Sequence, residues 1–319
     1  MALDDVSLLS ELRPVVEGLV ERHLSTTKEW FPHELVPWSR GRDFEPGYQW
    51  EPDEFPLPEA IRSALIVNLL TEDNLPYYFS TIDRVFPAEG WQEWTRRWTA
   101  EEMRHAIVIR DYLTVTRALD PVKLERDRMV QVTTAETPQP ETVPDMIVYL
   151  CLQELATRIS HRNTGKMIDH DRAGYEVMAR VAADENLHFL FYRDLATAAL
   201  QLDPSRMMEA IERQVTGFAM PGTGIPGFFG HAVAIARSGI YNLLLHHDQI
   251  VCPVVLRQWK VDDLEGLSVE AEQSREKLHA SIDRLHAMAR KQAERQARRA
   301  EREAAGEPAE EHEGALAPS

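Results

Sequence analysis

The chain has 319 residues, 44% of them hydrophobic and 27% charged, with a formal net charge of −17. That length suits one large domain or two modest ones, and the acidic balance argues against broad nucleic-acid binding, which needs a positive footprint. The densest apolar run, Ala64 to Leu70, is interrupted by Asn68 and falls well short of the ~18 residues a membrane helix needs. The start, Met1-Ala2-Leu3-Asp4-Asp5, lacks a secretory signal's positive region, and Cys151 and Cys252 are too few for a disulfide framework. The expectation is a cytoplasmic protein, not membrane-embedded, with no nucleic-acid partner.

Strand signals are weak and long amphipathic stretches dominate. Helices are predicted at about 5–24, 58–75, 91–119, 144–170, 173–201, 204–217, 230–248 and 263–303, where apolar periodicity runs between breakers. Proline and glycine punctuate the gaps at Pro32 to Pro58, Pro87 to Gly90, Pro138 to Pro144 and Pro221 to Gly227. The fold class is all-α, a bundle of long helices. From Arg290 the composition turns to Arg, Glu and Ala, and Gly306-Glu307-Pro308 ends the pattern. The chain therefore divides into a helical domain, 1–286, and a charged helical extension with a disordered tail, 287–319.

Two Glu-x-x-His motifs stand out, Glu102 to His105 and Glu185 to His188. Residues at i and i+3 share a helix face, so each pair can reach one metal. The motif alone is weak, because a third copy, Glu276 to His279, lies in the charge-rich last helix and reads as an exposed pair. Spacing separates them. Glu72 precedes Glu102 by 30 residues and Glu154 precedes Glu185 by 31, whereas the matching positions upstream of Glu276 are Leu245 and His246. Each half reads as a helix with one Glu followed by a helix with Glu-x-x-His, the pattern of ferritin-like bundles with a carboxylate-bridged metal pair. Each acid sits on a mostly apolar stripe, such as Val181, Glu185, His188, Tyr192 or Leu65, Leu69, Glu72. Buried carboxylates require a compensating cation. Two divalent ions balance the four glutamates, and carboxylate plus imidazole suits iron or manganese.

The same segments resemble the soluble acyl-(acyl-carrier-protein) desaturases, the plant stearoyl type and its actinobacterial relatives. The residues are Trp98-Thr99-Ala100-Glu101-Glu102-Met103-Arg104-His105, Leu70 to Pro76, Gln153-Glu154-Leu155-Ala156-Thr157-Arg158-Ile159-Ser160-His161, Asp184 to His188, and Trp259 to Ser268. The last match lies outside the ligand pattern and so favours this family over ferritin-like proteins in general. The resemblance implies a ferritin-like desaturase domain with flanking helices. It assigns Glu72 and His105 to one iron ion, Glu154 and His188 to the other, and a bridging place to Glu102 and Glu185. It puts Thr157 beside the dioxygen-binding face and links Trp30, Trp98 and Asp184 to the site or to electron delivery. It implies a homodimer that puts a cis double bond into a saturated chain on acyl carrier protein, using O2 and two electrons from a ferredoxin-type donor.

Two further expectations follow from the resemblance. Tyr78, Phe79, Ile82 and Phe189 line a tunnel for the chain, and the cations Arg96, Arg97, Arg104, Arg110, Arg117, Lys123, Arg126 and Arg128 form a docking patch for the acidic carrier. The rival readings are another di-iron oxygenase or N-oxygenase acting on a different substrate, and an inactive homologue that only binds acyl carrier protein. Gly222 to Gly227 fits G-x-G-x-x-G, but with no preceding strand it reads as a turn. His246-His247 has no acids at ligand spacing and reads as a packing or surface pair.

Overall fold

The computed structural model describes residues 3–87, 90–134 and 139–305. Among these residues it holds helices and no strand. The first helix, α1 (Asp5–Thr26), starts where the Asp4 carboxylate accepts the Ser7 N–H at 2.7 Å. A short α2 (Pro32–Leu35) precedes the irregular stretch leading to α3 (Glu59–Glu72). The helix predicted to reach residue 75 stops at Glu72. The chain turns at Asp73 and Asn74, then restarts as α4 (Leu75–Val85) with Pro76 in its first turn, where a missing N–H costs nothing. The sequence reading had no helix at α4 and none at α6 (Pro121–Thr134), which also opens on proline. Between them, α5 (Trp91–Thr116) starts after Gly90 at φ 91° and ends where Arg117 turns left-handed at φ 57°.

Three elements follow their predictions closely, α7 (Val143–Met167), α8 (Arg172–Leu202) and α9 (Pro204–Thr216), while α12 (Val269–Ala304), predicted from residue 263, starts six residues later. Thr142 caps α7 by accepting the Asp145 N–H, and Asp203 caps α9 by accepting that of Arg206. The single helix predicted over 230–248 is two. Gly239, at φ 78°, ends α10 (Phe228–Ser238), and Asn242 then caps α11 (Leu243–His246). Beyond it the chain widens to π-helical pitch over His247–Gln258, around Pro253, which has no N–H for the α ladder. Gly222 and Gly227 sit in turns at positive φ, as expected.

Helices α3, α5, α7 and α8 pack side by side as a ferritin-like bundle. Central α7 is buried on every side from Val143 to Leu152, and from there to Gly165 only Gln153, Arg158, Arg162 and Asn163 reach toward solvent. Two glycines set its spacing. A Cβ on Gly165 would lie 2.9 Å from the Met178 Cβ, and one on Gly174 would lie 2.5 Å from the Tyr112 hydroxyl. Helix α1 lies against α5 and α8, α10 against α3, and α9 with α12 against the bundle's other flank. Helix α12 runs unbroken through residue 286. The tail expected after residue 305 and the Thr137–Pro138 part of one predicted gap lie outside the described residues.

Candidate metal centre

One turn of each bundle helix supplies the inner residues. Glu72 closes α3, Glu102 and His105 lie on α5, Glu154 on α7, and Glu185 and His188 on α8. All six are buried. Glu72, Glu102, His105 and Glu185 each offer a ligand atom within 4.8 Å of the others, and so do Glu102, Glu154, Glu185 and His188. Glu102 and Glu185 belong to both groups. His105 Nδ1 lies 3.3 Å from Glu185 Oε1 and 3.5 Å from Glu102 Oε2, and His188 Nδ1 lies 2.8 Å from Glu102 Oε1 and 3.5 Å from Glu154 Oε2.

These atoms are poorly satisfied by the protein. Glu102 Oε1, Glu154 Oε2, His105 Nδ1 and His188 Nδ1 are buried with no hydrogen-bond partner. Burial and the charges of Glu102 and Glu185 push the Glu72 carboxyl well above its ordinary range, and burial with Glu185 and Glu102 does the same to Glu154. Burial opposes charge on His105 and His188, but the crowded carboxylates push both imidazoles well above their ordinary value. Orphaned oxygens and imidazole nitrogens turned to one space fit a pair of divalent cations.

An outer layer fixes the inner one. His105 Nε2 lies 3.6 Å from Asp184 Oδ2, which also accepts the Trp30 indole N–H at 2.8 Å. Arg180 and Arg104 complete that carboxylate's surroundings. Burial would raise Asp184, but the neighbouring His105 and the Arg180 charge hold it at about 2. On the other side His188 Nε2 lies 3.0 Å from Glu101 Oε2, which is 2.9 Å from His23 Nε2, while Arg97 donates to the other Glu101 oxygen at 2.6 Å. Trp98 donates its indole N–H to Glu154 at 3.0 Å, and the Thr157 hydroxyl donates to Glu185 at 2.8 Å. The structure thus brings all ten expected site residues together. It adds three that sequence reasoning missed. Glu101 was signalled by the acid preceding each Glu-x-x-His, Glu101 before Glu102 and Asp184 before Glu185. His161, whose Nε2 is 3.1 Å from Glu72 Oε1, stood inside a quoted match without a role, and burial pushes it down to about 4. His23, on α1, carried no signal. The discounted histidines stay apart: His279 pairs with Asp262, His246 stacks on Phe218, and His247 stacks on His286.

A family model described as fatty acid desaturase matches residues 4–307. A Mycobacterium tuberculosis protein provisionally named acyl-(acyl-carrier-protein) desaturase DesA1 is 43% identical over 287 residues, 86% of this chain and 84% of its own. A chloroplastic stearoyl-(acyl-carrier-protein) 9-desaturase 6 of Arabidopsis thaliana is 31% identical over 69% of this chain and 60% of its own. The X-ray structure of the provisionally named acyl-ACP desaturase DesA2 of M. tuberculosis superposes with a TM-score of 0.68 at 28% identity, covering 84% of this chain and 98% of that one. The chain belongs to the fatty acid desaturase family. Membership accounts for the Trp259 to Ser268 match, which the metal cluster does not use.

Two cavities meet at the centre of this desaturase. One, of about 40 Å³, is walled by Tyr78, Ile82, Met146, Tyr149 and Leu150 and reaches Glu72, Glu102, Trp98 and Thr157. The other, of about 160 Å³, is walled by Val67, Phe228, Ala232, Ile235 and Tyr241, and shares Thr71, Glu72, Thr157 and Pro221 with the first. Of the expected tunnel residues, Tyr78 and Ile82 line the first cavity. Phe79 does not, and Phe189 packs in the core with Arg193 over its ring. The expected basic patch is largely neutralised. Arg97, Arg104, Arg110, Arg117, Lys123 and Arg128 all face carboxylates, leaving Arg96 and Arg126. Among the described residues no helix is long and apolar enough to cross a membrane.

Proposed function

We propose that the chain is an acyl-(acyl-carrier-protein) desaturase, which introduces a cis double bond into a carrier-bound saturated chain with O2 and two electrons at a di-iron centre. The observation that carries it is the junction of two mostly apolar cavities at the carboxylate–histidine cluster. Narrow apolar walls on either side of the cluster suit an acyl chain, with one methylene pair beside Glu72 and Thr157 and the chain extending along the two cavities. The names of the relatives support the substrate class.

Glu72 and His105 would hold one iron, Glu154 and His188 the other, with Glu102 and Glu185 shared. Bound there, the two irons supply the oxidising power for O2 chemistry. The chain's own residues do the rest. Tyr78, Ile82, Met146 and Tyr149 exclude water from the acyl chain. Trp98 and Thr157 hold Glu154 and Glu185 in orientation. Trp30 donates to Asp184, whose carboxylate lies 3.6 Å from His105 Nε2, a polar line toward the cluster suited to electron delivery from a ferredoxin-type donor. A reducing cytoplasm and a homodimer complete the reading, with residues 1–286 as the desaturase unit and 287–319 as an extension.

The test is metal analysis and spectroscopy of purified protein, followed by incubation of the iron-loaded, reduced protein with stearoyl carrier protein, ferredoxin and oxygen. About two irons per chain and an unsaturated product are expected. Hydroxylated chains, or Glu154→Ala protein that keeps its full iron content, would sink the reading. Removal of residues 290–319 should leave the iron content unchanged.

A further inference from the structure

Among the described residues, almost every half-buried arginine has an evident partner. Arg104, Arg110, Arg180, Arg193 and Arg206 face carboxylates, and Arg62 stacks on Trp50 while donating to the Pro52 carbonyl. Arg158 is the exception. It is half-buried on α7, and no hydrogen bond, ion pair or ring contact engages it. Burial and the neighbouring Arg162 charge push its guanidinium below the ordinary value. Lys166 extends the row at the same four-residue spacing, and Arg162 and Lys166 are exposed, with no carboxylate paired to either.

Residues at i, i+4 and i+8 lie on one helix face, about 6 Å apart along the axis. Like charges so placed destabilise a helix. A chain with 52 acidic residues against 35 basic ones had carboxylates in excess to place there. The row therefore stands uncompensated in a protein that is otherwise strongly negative, and an anionic surface from outside would compensate it.

We propose that Arg158, Arg162 and Lys166 are the seat of an acidic protein partner, which on the reading above, and resting on it, is the acyl carrier protein. A net charge of −17 repels such a partner at a distance, so docking requires a local positive strip. The cations between Arg96 and Arg128 are mostly spent on internal carboxylates. Helix α7 also walls both cavities, through Met146 and Thr157 in one and Ser160 and His161 in the other. A carrier seated on its exposed face lies beside the space for its acyl chain.

The test compares wild-type enzyme with Arg162→Ala/Lys166→Ala, which touches exposed residues only, and with Arg158→Gln. Affinity for stearoyl carrier protein is measured by calorimetry at low and at high salt, with iron content and thermal melting as checks on the fold. The double variant should bind about tenfold more weakly at low salt, since exposed charge pairs are individually small, and equally at high salt. KM should rise with kcat unchanged. Unchanged affinity in a folded, iron-replete double variant overturns the proposal while leaving the desaturase reading intact. A shift in oligomeric state with unchanged carrier affinity also overturns it, assigning the row to self-association. Wild-type enzyme that binds no carrier protein overturns both.

Discussion

Replacing His23 with alanine should weaken one of the two metal positions and spare the other. The His23 imidazole Nε2 lies 2.9 Å from Glu101 Oε2, and the same oxygen lies 3.0 Å from His188 Nε2. Both side chains of the His23–Glu101 pair are only 3% exposed, so water does not readily replace the lost partner. A hydrogen bond to a charged group contributes about 1.5–3 kcal/mol. Arg97 still holds the other Glu101 oxygen, so the lower end applies, and ~1.5 kcal/mol is about tenfold in affinity. That loss falls on the position His188 serves, because His105 is held instead by Asp184 and Trp30. Anaerobic calorimetric titration of metal-free protein with Fe(II) should resolve two binding steps in the wild type. In His23→Ala one step weakens about tenfold; in Trp30→Phe the other one does. His23→Gln, which can still donate, should recover most of the loss. Equal weakening of both steps by His23→Ala, or of neither, refutes the reasoning.

Ile82→Phe narrows the cavity beside Glu72 and Glu102, and stearoyl turnover should fall by about tenfold or more while iron content holds; gas chromatography of the acyl products checks it. Gly174→Ala forces a Cβ to 2.5 Å from the Tyr112 hydroxyl and 2.7 Å from Ile168 Cγ2, so a thermal melt should show a loss of about 1–3 kcal/mol. Asp171 accepts hydrogen bonds from Tyr112 and Arg40 at 2.9 and 2.7 Å. Burial opposes its ionisation, but Arg40 and Tyr112 hold its carboxyl below the ordinary value. Its contribution is thus present above the ordinary carboxylate range and is lost as pH falls through the folded value. Urea melts should show Asp171→Asn less stable than wild type at neutral pH, with the gap closing toward the acid end.

The carboxylate–histidine cluster was legible in the sequence because its geometry is helical and periodic. A Glu-x-x-His fixes its own face, and two nearly equal spacings fix the pairing of faces, so Glu72, Glu102, His105, Glu154, Glu185 and His188 could be named before any coordinates. What escaped depended on approach between distant segments. His23 reaches Glu101 across 78 positions because α1 lies against α5, and no local pattern encodes that. The two missed helices, α4 and α6, follow proline openings that read equally well as loop punctuation. The split of 230–248 turned on Gly239, whose positive φ is invisible in a stretch otherwise suited to helix. The basic cluster misled for a related reason: sequence proximity of cations says nothing about the carboxylates that fold onto them, such as Asp73 on Arg110 and Glu54 on Arg117.

The repeated ligand pattern is symmetric, but its surroundings are not, and the asymmetry bears on the proposed reaction. Both cavities touch the cluster through its carboxylate and hydroxyl side, at Glu72 and Thr157, and the first also at Glu102. Neither is lined by His105, His188, Asp184 or Glu101. Behind the histidines the protein is packed and hydrogen-bonded, with Trp30 and Arg180 on Asp184 and with His23 and Arg97 on Glu101. An acyl chain held in the cavities therefore meets the cluster on the opposite side from the Asp184 and Glu101 carboxylates behind the histidines. Electrons delivered along Trp30, Asp184 and His105 would not cross the space the substrate fills. A reactive centre can then be reduced with the chain already in place and water already excluded, the order that a desaturase needs if its oxidant is to find a methylene pair rather than solvent.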